Sequence, residues 1–170
     1  MKLRSRLLLL LVFCAAVCSV NIVARAQQPA QSSAADTAAK PSGASEADLA
    51  AIKQTALDYI EGYYEGNAER MERALHPELA KRIVITDQKS GRSRLDQMGA
   101  MTLVMGTRAQ ASRPTPKDKR QNDVTVLDVF ENAASVKIVA SSWIDYLHVA
   151  KFNGRWVIVN VLWELKPQPK

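Results

Sequence analysis

Asn153-Gly154 constrains the fold of this chain more than any other pair of residues in it. Both residues tolerate positive φ, which a two-residue turn between antiparallel strands requires. The runs on either side, Trp143 to Lys151 and Trp156 to Glu164, are rich in β-branched and aromatic residues. Two more β-rich runs precede them, Val124 to Phe130 and Ser135 to Ser141, joined by a tight turn at Glu131-Asn132-Ala133. The C-terminal part of the chain is therefore expected to be an antiparallel meander.

The turn also predicts a register. With Asn153-Gly154 as the loop, Phe152 faces Arg155, Ala150 faces Val157, His148 faces Val159, Tyr146 faces Val161 and Ile144 faces Trp163. This face is the more continuously apolar and is assigned to the interior. The other face carries Trp143, Asp145, Leu147, Trp156, Leu162 and Glu164. A bulge in either strand would slip the pairing by one residue and exchange the faces.

Ahead of the meander the period is helical. Ser45 is a good N-cap, and Glu46 and Asp48 put negative charge in the first turn, where the helix dipole favours it. Leu49, Ile52, Ala56, Tyr59 and Tyr63 follow on one face. Asp58 and Glu61 fall off that stripe and are expected to face solvent. Gly66 ends the helix, and Asn67 caps a shorter one that stops at His76-Pro77. Ile83 to Thr86 reads as a short strand. Leu95 to Thr107 reads as a third helix with Leu95, Met98, Met101 or Thr102, and Met105 on its buried face. Ala109 to Asn122 is polar, basic and broken by proline, hence a surface loop. Helices first and strands last give an α+β domain, with helices laid on one face of a curved antiparallel sheet.

The N-terminus belongs to a different class of sequence. Lys2, Arg4 and Arg6 precede an uncharged run from Leu7 to Val23 and then Ala24-Arg25-Ala26. Basic segment, apolar segment and small-residue site in that order predict a cleaved secretory signal over residues 1–26. The rival is a retained membrane anchor, because the apolar run approaches the roughly 20 residues that span a bilayer. Four of the 23 basic residues and none of the 17 acidic ones lie in the signal, so cleavage lowers the net charge from +6 to +2. Whole-chain basicity is then no argument for a nucleic-acid partner. Both cysteines, Cys14 and Cys18, leave with the signal, so the mature protein is expected to have no disulfide, no thiol nucleophile and no cysteine metal site. Residues 27–45 lack aromatic and large aliphatic side chains and read as a disordered linker to the domain at 46–170. The expected location is periplasmic or extracellular, with no membrane contact after cleavage.

Two stretches resemble a known family. Ala56-Leu57-Asp58-Tyr59-Ile60-Glu61-Gly62-Tyr63-Tyr64-Glu65-Gly66-Asn67, followed by His76-Pro77-Glu78-Leu79-Ala80-Lys81-Arg82, is similar to the front of the putative lumazine-binding family. Asp145 to Lys151, Gly154-Arg155-Trp156 and Val159 to Trp163 are similar to its end. That family belongs to the nuclear-transport-factor-2-like superfamily. The resemblance implies a cone-shaped (cystatin-like) fold: a bent sheet wrapped around a long helix, with a cavity at the wide end. The superfamily holds enzymes such as ketosteroid isomerase and also non-catalytic binding and dimerising domains, so the fold alone does not choose a function.

On this reading Tyr59, Tyr63, His76, Tyr146, His148 and Trp163 line one cavity. Ring faces there would stack on a small aromatic or heterocyclic ligand, lumazine-like or otherwise, while polar tips orient it. The alternative is an isomerase- or dehydratase-type enzyme with His148 or Asp145 as base. Those two point to opposite strand faces, which argues against a dyad between them. A third reading is a dimerisation or assembly domain. No nucleophile elbow, Gly-rich phosphate loop or HExxH motif is present, so no cofactor and no metal are expected. Lys117, Lys119 and Arg120 lie in a proline-bearing loop without aromatics and read as solvated surface rather than a nucleic-acid site. Trp143, Trp156 and Leu162 on the outer sheet face predict a homodimer, because such a face needs cover.

Overall fold

A computed structural model describes residues 44–167. The expected signal and nearly all of the expected linker lie outside the described residues, so the boundaries at 26 and 45 are not addressed by it. Three helices come before the meander: α1 (Glu46–Glu65), α2 (Ala68–Ala74) and α3 (Ala100–Gln110). Six strands, β1 (Leu75–Thr86), β2 (Ser93–Gly99), β3 (Asn122–Phe130), β4 (Ala133–Ala140), β5 (Trp143–Phe152) and β6 (Arg155–Leu165), form one sheet in the order β2-β1-β6-β5-β4-β3. Every pairing is antiparallel except β1 with β6.

The start of α1 forms as its sequence dictates. The Ser45 hydroxyl accepts from the Asp48 N–H at 3.0 Å, satisfying one of the amides that a helix N-terminus leaves free. Asp48 in turn accepts from Lys151 at 2.8 Å and from the Trp156 indole at 2.9 Å, tying the helix start to the β5–β6 hairpin. Those bonds, Lys151 first, hold the Asp48 carboxyl down at about 2. Gly66 ends the helix at φ +69°, a left-handed conformation that glycine adopts without strain. Asn67 caps α2 through an acceptor bond from the Arg70 N–H at 2.9 Å.

Asp58 is not a solvated residue. It is buried and holds Arg70 at 2.9 Å and Arg73 at 3.0 Å, fastening α2 across α1. Burial works to raise its pKa, but the bonds from Arg73, Arg70 and Gln54 outweigh this and lower it. Glu61 also takes Arg70 and accepts from Asn122 at 2.7 Å, so it too is spent on packing. The two acids look exposed in sequence because their arginine partners lie nine or more residues along the chain.

Two elements differ from the sequence expectation. β1 begins at Leu75, so α2 gives way directly to a strand that runs through His76-Pro77. Its pairing with β6 shifts register between Leu75 and Ala80, the kind of irregular stretch where a proline without an N–H fits. Leu95 to Gly99 is strand rather than helix, because these residues pair antiparallel with Ala80 to Val84. The helix starts only at Ala100 and buries Val104 and Thr107, while Met101 and Met105 are exposed. The apolar spacing of Leu95 and Met98 matches a helical repeat by coincidence; the strand partner decides.

The β5–β6 hairpin keeps the Asn153-Gly154 turn, with Phe152 opposite Arg155 and Ala150 opposite Val157. Beyond it Val149 pairs Ile158 and His148 pairs Asn160, leaving Val159 as an extra residue on β6. This bulge slips the register and changes the faces. The interior side carries Asp145, Leu147 and Val149 from β5 and Trp156, Ile158 and Val161 from β6, all buried. Tyr146 and His148 point the other way, to the outer surface. Trp143 and Trp156 belong to the core side, against the outer placement expected from sequence.

α1 lies across this face. Thr55 donates to the Trp156 carbonyl at 3.0 Å, and Tyr64 donates to the Gln121 carbonyl at 2.7 Å while accepting from the Ser141 N–H at 2.9 Å. Ile52, Ile60, Tyr64, Ile138, Leu147 and Ile158 are fully buried between helix and sheet. Each such side chain stabilises the fold by about 1.5–3 kcal/mol relative to exposure. Among the described residues no helix is long and apolar enough to cross a membrane.

Candidate functional site

The interior side of the sheet carries two buried charged residues, each between apolar neighbours on its strand face. Lys81 lies between Leu79 and Ile83 on β1, and Asp145 lies between Trp143 and Leu147 on β5. Alternation along each strand turns both inward, and β6 separates them in the sheet. Lys81 Nζ reaches over β6 to Asp145 Oδ1 at 2.7 Å. Asp145 is wholly buried, so the pair depends on its own partners rather than on water.

Those partners are all aromatic. The Trp143 indole donates to Asp145 Oδ2 at 2.6 Å, and the Tyr59 hydroxyl donates to the same oxygen at 3.4 Å while accepting from Lys81. Lys81 Nζ also lies 4.8 Å from the Trp163 ring centroid and 5.2 Å from that of Tyr59, within cation–π range. Burial pulls the Lys81 pKa below the ordinary lysine range, opposed by the Asp145 charge. Burial pushes the Tyr59 phenol well above its usual value, reinforced by that same charge. Tyr59 therefore stays neutral.

Above this network is a cavity of about 150 Å³. Its buried floor is Tyr59, Ile60, Met71 and Lys81, and its half-buried rim is Tyr63, Trp143, Trp163, Met98 and Leu103. Tyr63 meets the edge of Trp143 at 5.5 Å between centroids and 88° between planes, which stiffens one wall. The indole Nε1 of Trp163 is buried without a hydrogen-bond partner. A wider groove of about 470 Å³ runs between α2, α3 and the start of β1, past Glu69, Arg73, Met101 and Arg155. It offers mixed surface charge and no buried polar group, so the smaller cavity is the candidate site.

Of the six residues expected to share a pocket, the structure brings together Tyr59, Tyr63 and Trp163. Tyr146 and His148 are on the opposite side of the sheet, turned outward by their strand parity. His148 bonds Asn160 there, through Nδ1 at 3.3 Å. His76 stands at the sheet edge, with its ring edge-on to Phe152 at 4.7 Å and its Nδ1 accepting from the Glu78 N–H. Asp145 is inside, but as the anchor of Lys81. Sequence reasoning missed Lys81 and misplaced Trp143. The signal for Lys81 was present: a lysine in an apolar strand stripe needs a buried counter-charge, and Asp145 stands in the matching stripe of β5.

The matches to known proteins agree with this architecture. Residues 47–164 match the family model described as putative lumazine-binding. The fold is nuclear-transport-factor-2-like (cystatin-like), and the chain belongs to the putative lumazine-binding family. A nuclear-transport-factor-2-like protein of unknown function from Silicibacter pomeroyi DSS-3 is similar at a TM-score of 0.58 and 15% identity, covering 71% of this chain and 97% of that one. One from Methylobacillus flagellatus KT is similar at 0.58 and 20% identity, covering 75% and 98%. A third, from Shewanella baltica OS155, scores 0.54 at 17% identity, covering 72% and 96%. At these identities the likeness speaks for the fold alone. No curated protein matches the chain.

Proposed function

We propose that this protein is an exported binding domain that holds a compact aromatic or heterocyclic ligand in the cavity above the Lys81–Asp145 pair. The observation that carries the reading is the wall of Tyr59, Tyr63, Trp143 and Trp163 around a space of about 150 Å³. A cavity of roughly that size takes a single ring. A lumazine-like bicycle would have to project past the rim, between Tyr63 and Trp163. Membership of a family described as putative lumazine-binding supports a small-molecule ligand of this general kind.

Binding is favoured over catalysis by the state of Asp145. Both of its oxygens already accept strong bonds, from Lys81 and from Trp143. It can take a substrate proton only by giving up the ion pair. His148, the other candidate base, is on the far side of the sheet.

The working unit is proposed to be a homodimer through the outer sheet face, where the neighbouring Tyr146 and Leu162 are exposed and Val84 lies on the adjoining strand. Two tryptophans that first suggested this face point inward, so these three residues carry the argument instead. Native mass spectrometry of the full chain, exported with its own signal and purified gently, tests all three parts. A dimer lacking residues 1–26 and carrying a small adduct is expected. An empty monomer that retains the N-terminus would contradict the reading throughout.

A further inference from the structure

The donors and acceptors around the cavity do not balance. Asp145 is wholly buried, does not line the cavity and already accepts three bonds, from Lys81 on Oδ1 and from Trp143 and Tyr59 on Oδ2. The Tyr59 oxygen donates to Asp145 and accepts from Lys81. Ile60, Met71, Met98 and Leu103 bring no strong acceptor, and the Tyr63 hydroxyl on the rim can donate as readily as it accepts. On the donor side, Lys81 uses two of the three N–H groups of an ammonium, on Tyr59 and Asp145. The Trp163 indole N–H is buried and unmatched. An unmet buried donor costs about 1–3 kcal/mol, and a ligand that met it would recover that cost.

From this surplus of donors we infer that the ligand is a compact ring presenting an oxygen acceptor, a ring carbonyl or ring-bound oxyanion, to Lys81 and Trp163. The inference rests on the binding function proposed above and narrows its ligand class. The rim rings take the apolar faces of the ligand, and the two spare donors fix which edge points inward. A ring with only donors, or with none, leaves both unmatched.

The test titrates three probes of similar size into the full chain: N-methyl-2-pyridone (neutral carbonyl), benzoate (oxyanion) and toluene (no acceptor). The readout is the indole N–H resonances of the three tryptophans, with Trp163 assigned through Trp163→Phe. At least one oxygen-bearing probe is expected to bind about tenfold or more tightly than toluene. It moves the Trp163 indole proton downfield and leaves that of Trp156, already bonded to Asp48, in place. Whichever of pyridone and benzoate binds tighter tells carbonyl from oxyanion. Trp163→Phe keeps a ring and removes the donor, so it lowers the affinity of that probe about tenfold more than it lowers that of toluene. Toluene binding as tightly as both oxygen probes overturns this inference and leaves the binding function standing. No probe binding at millimolar concentration overturns both.

Discussion

Replacing Lys81 by methionine removes the cation from a carboxylate that has no access to water. Asp145 is wholly buried and would keep only the Trp143 and Tyr59 donors. Breaking one side of such a pair costs about 3–5 kcal/mol, whereas replacing both sides by apolar residues is far milder. For a domain of this size each kcal/mol moves the melting temperature by about 4 °C, so Lys81→Met is expected to lower it by about 12–20 °C. Asp145→Leu strands the ammonium instead. With its counter-charge gone, the Lys81 pKa falls still further below 10.5, so the folded state binds fewer protons than the unfolded state between those two values. Stability of Asp145→Leu therefore rises with pH through that window, partly closing the gap to wild type. The double variant still leaves Trp143 and Tyr59 without an acceptor, at about 1–3 kcal/mol each. It should nonetheless be more stable than the sum of the two single losses by about 2 kcal/mol. Urea unfolding of the four proteins at pH 7, with the Asp145→Leu series repeated at pH 9, measures each term. Additivity within about 0.5 kcal/mol, or a flat pH dependence in Asp145→Leu, would refute a buried, mutually dependent pair.

Three other expectations follow from the geometry. Gly66→Ala meets both a left-handed φ and the backbone of Ala111, whose N and Cα would lie 2.4 and 2.3 Å from the new Cβ, so its loss should exceed about 2 kcal/mol; Gly154→Ala, at φ +79° with open space around it, should lose only about 1–2 kcal/mol in the same unfolding assay. The Tyr59 pKa is raised above 10, so the stability of its neutral form is complete below pH 10 and is lost as pH climbs toward the folded value; ultraviolet titration should show one phenol ionising late, and Tyr59→Phe should remove that step. Tyr146→Ala and His148→Ala should leave ligand affinity within about twofold while shifting the monomer–dimer balance in sedimentation, whereas Tyr63→Ala should weaken ligand binding by roughly tenfold, equivalent to about 1.4 kcal/mol.

Most of the fold was legible because its signals are local. Ser45, Gly66, Asn67 and Asn153-Gly154 act within a few residues of themselves, and each does in the structure what its chemistry predicts. The errors have non-local causes. Leu95 to Gly99 became strand because β1 supplies an edge to pair with. Asp58 became buried because Arg70 and Arg73 fold back on it. The site suffered most from one residue: the bulge at Val159 put Tyr146 and His148 outside and brought Asp145, Trp143 and Trp156 in. Half of the six residues expected in the pocket, Tyr59, Tyr63 and Trp163, do line the cavity, and they were found from ring spacing and from the family resemblance. Lys81 was missed because its meaning lies in Asp145, 64 residues further along the chain.

The most direct test of the account is a crystal structure of the full chain soaked with single-ring aromatic fragments. Density is expected between Tyr63, Trp143 and Trp163, with the inner edge of the ring toward Lys81. Fragments seated instead on the outer face at Tyr146 and His148, with the cavity closed by its own side chains, would contradict it.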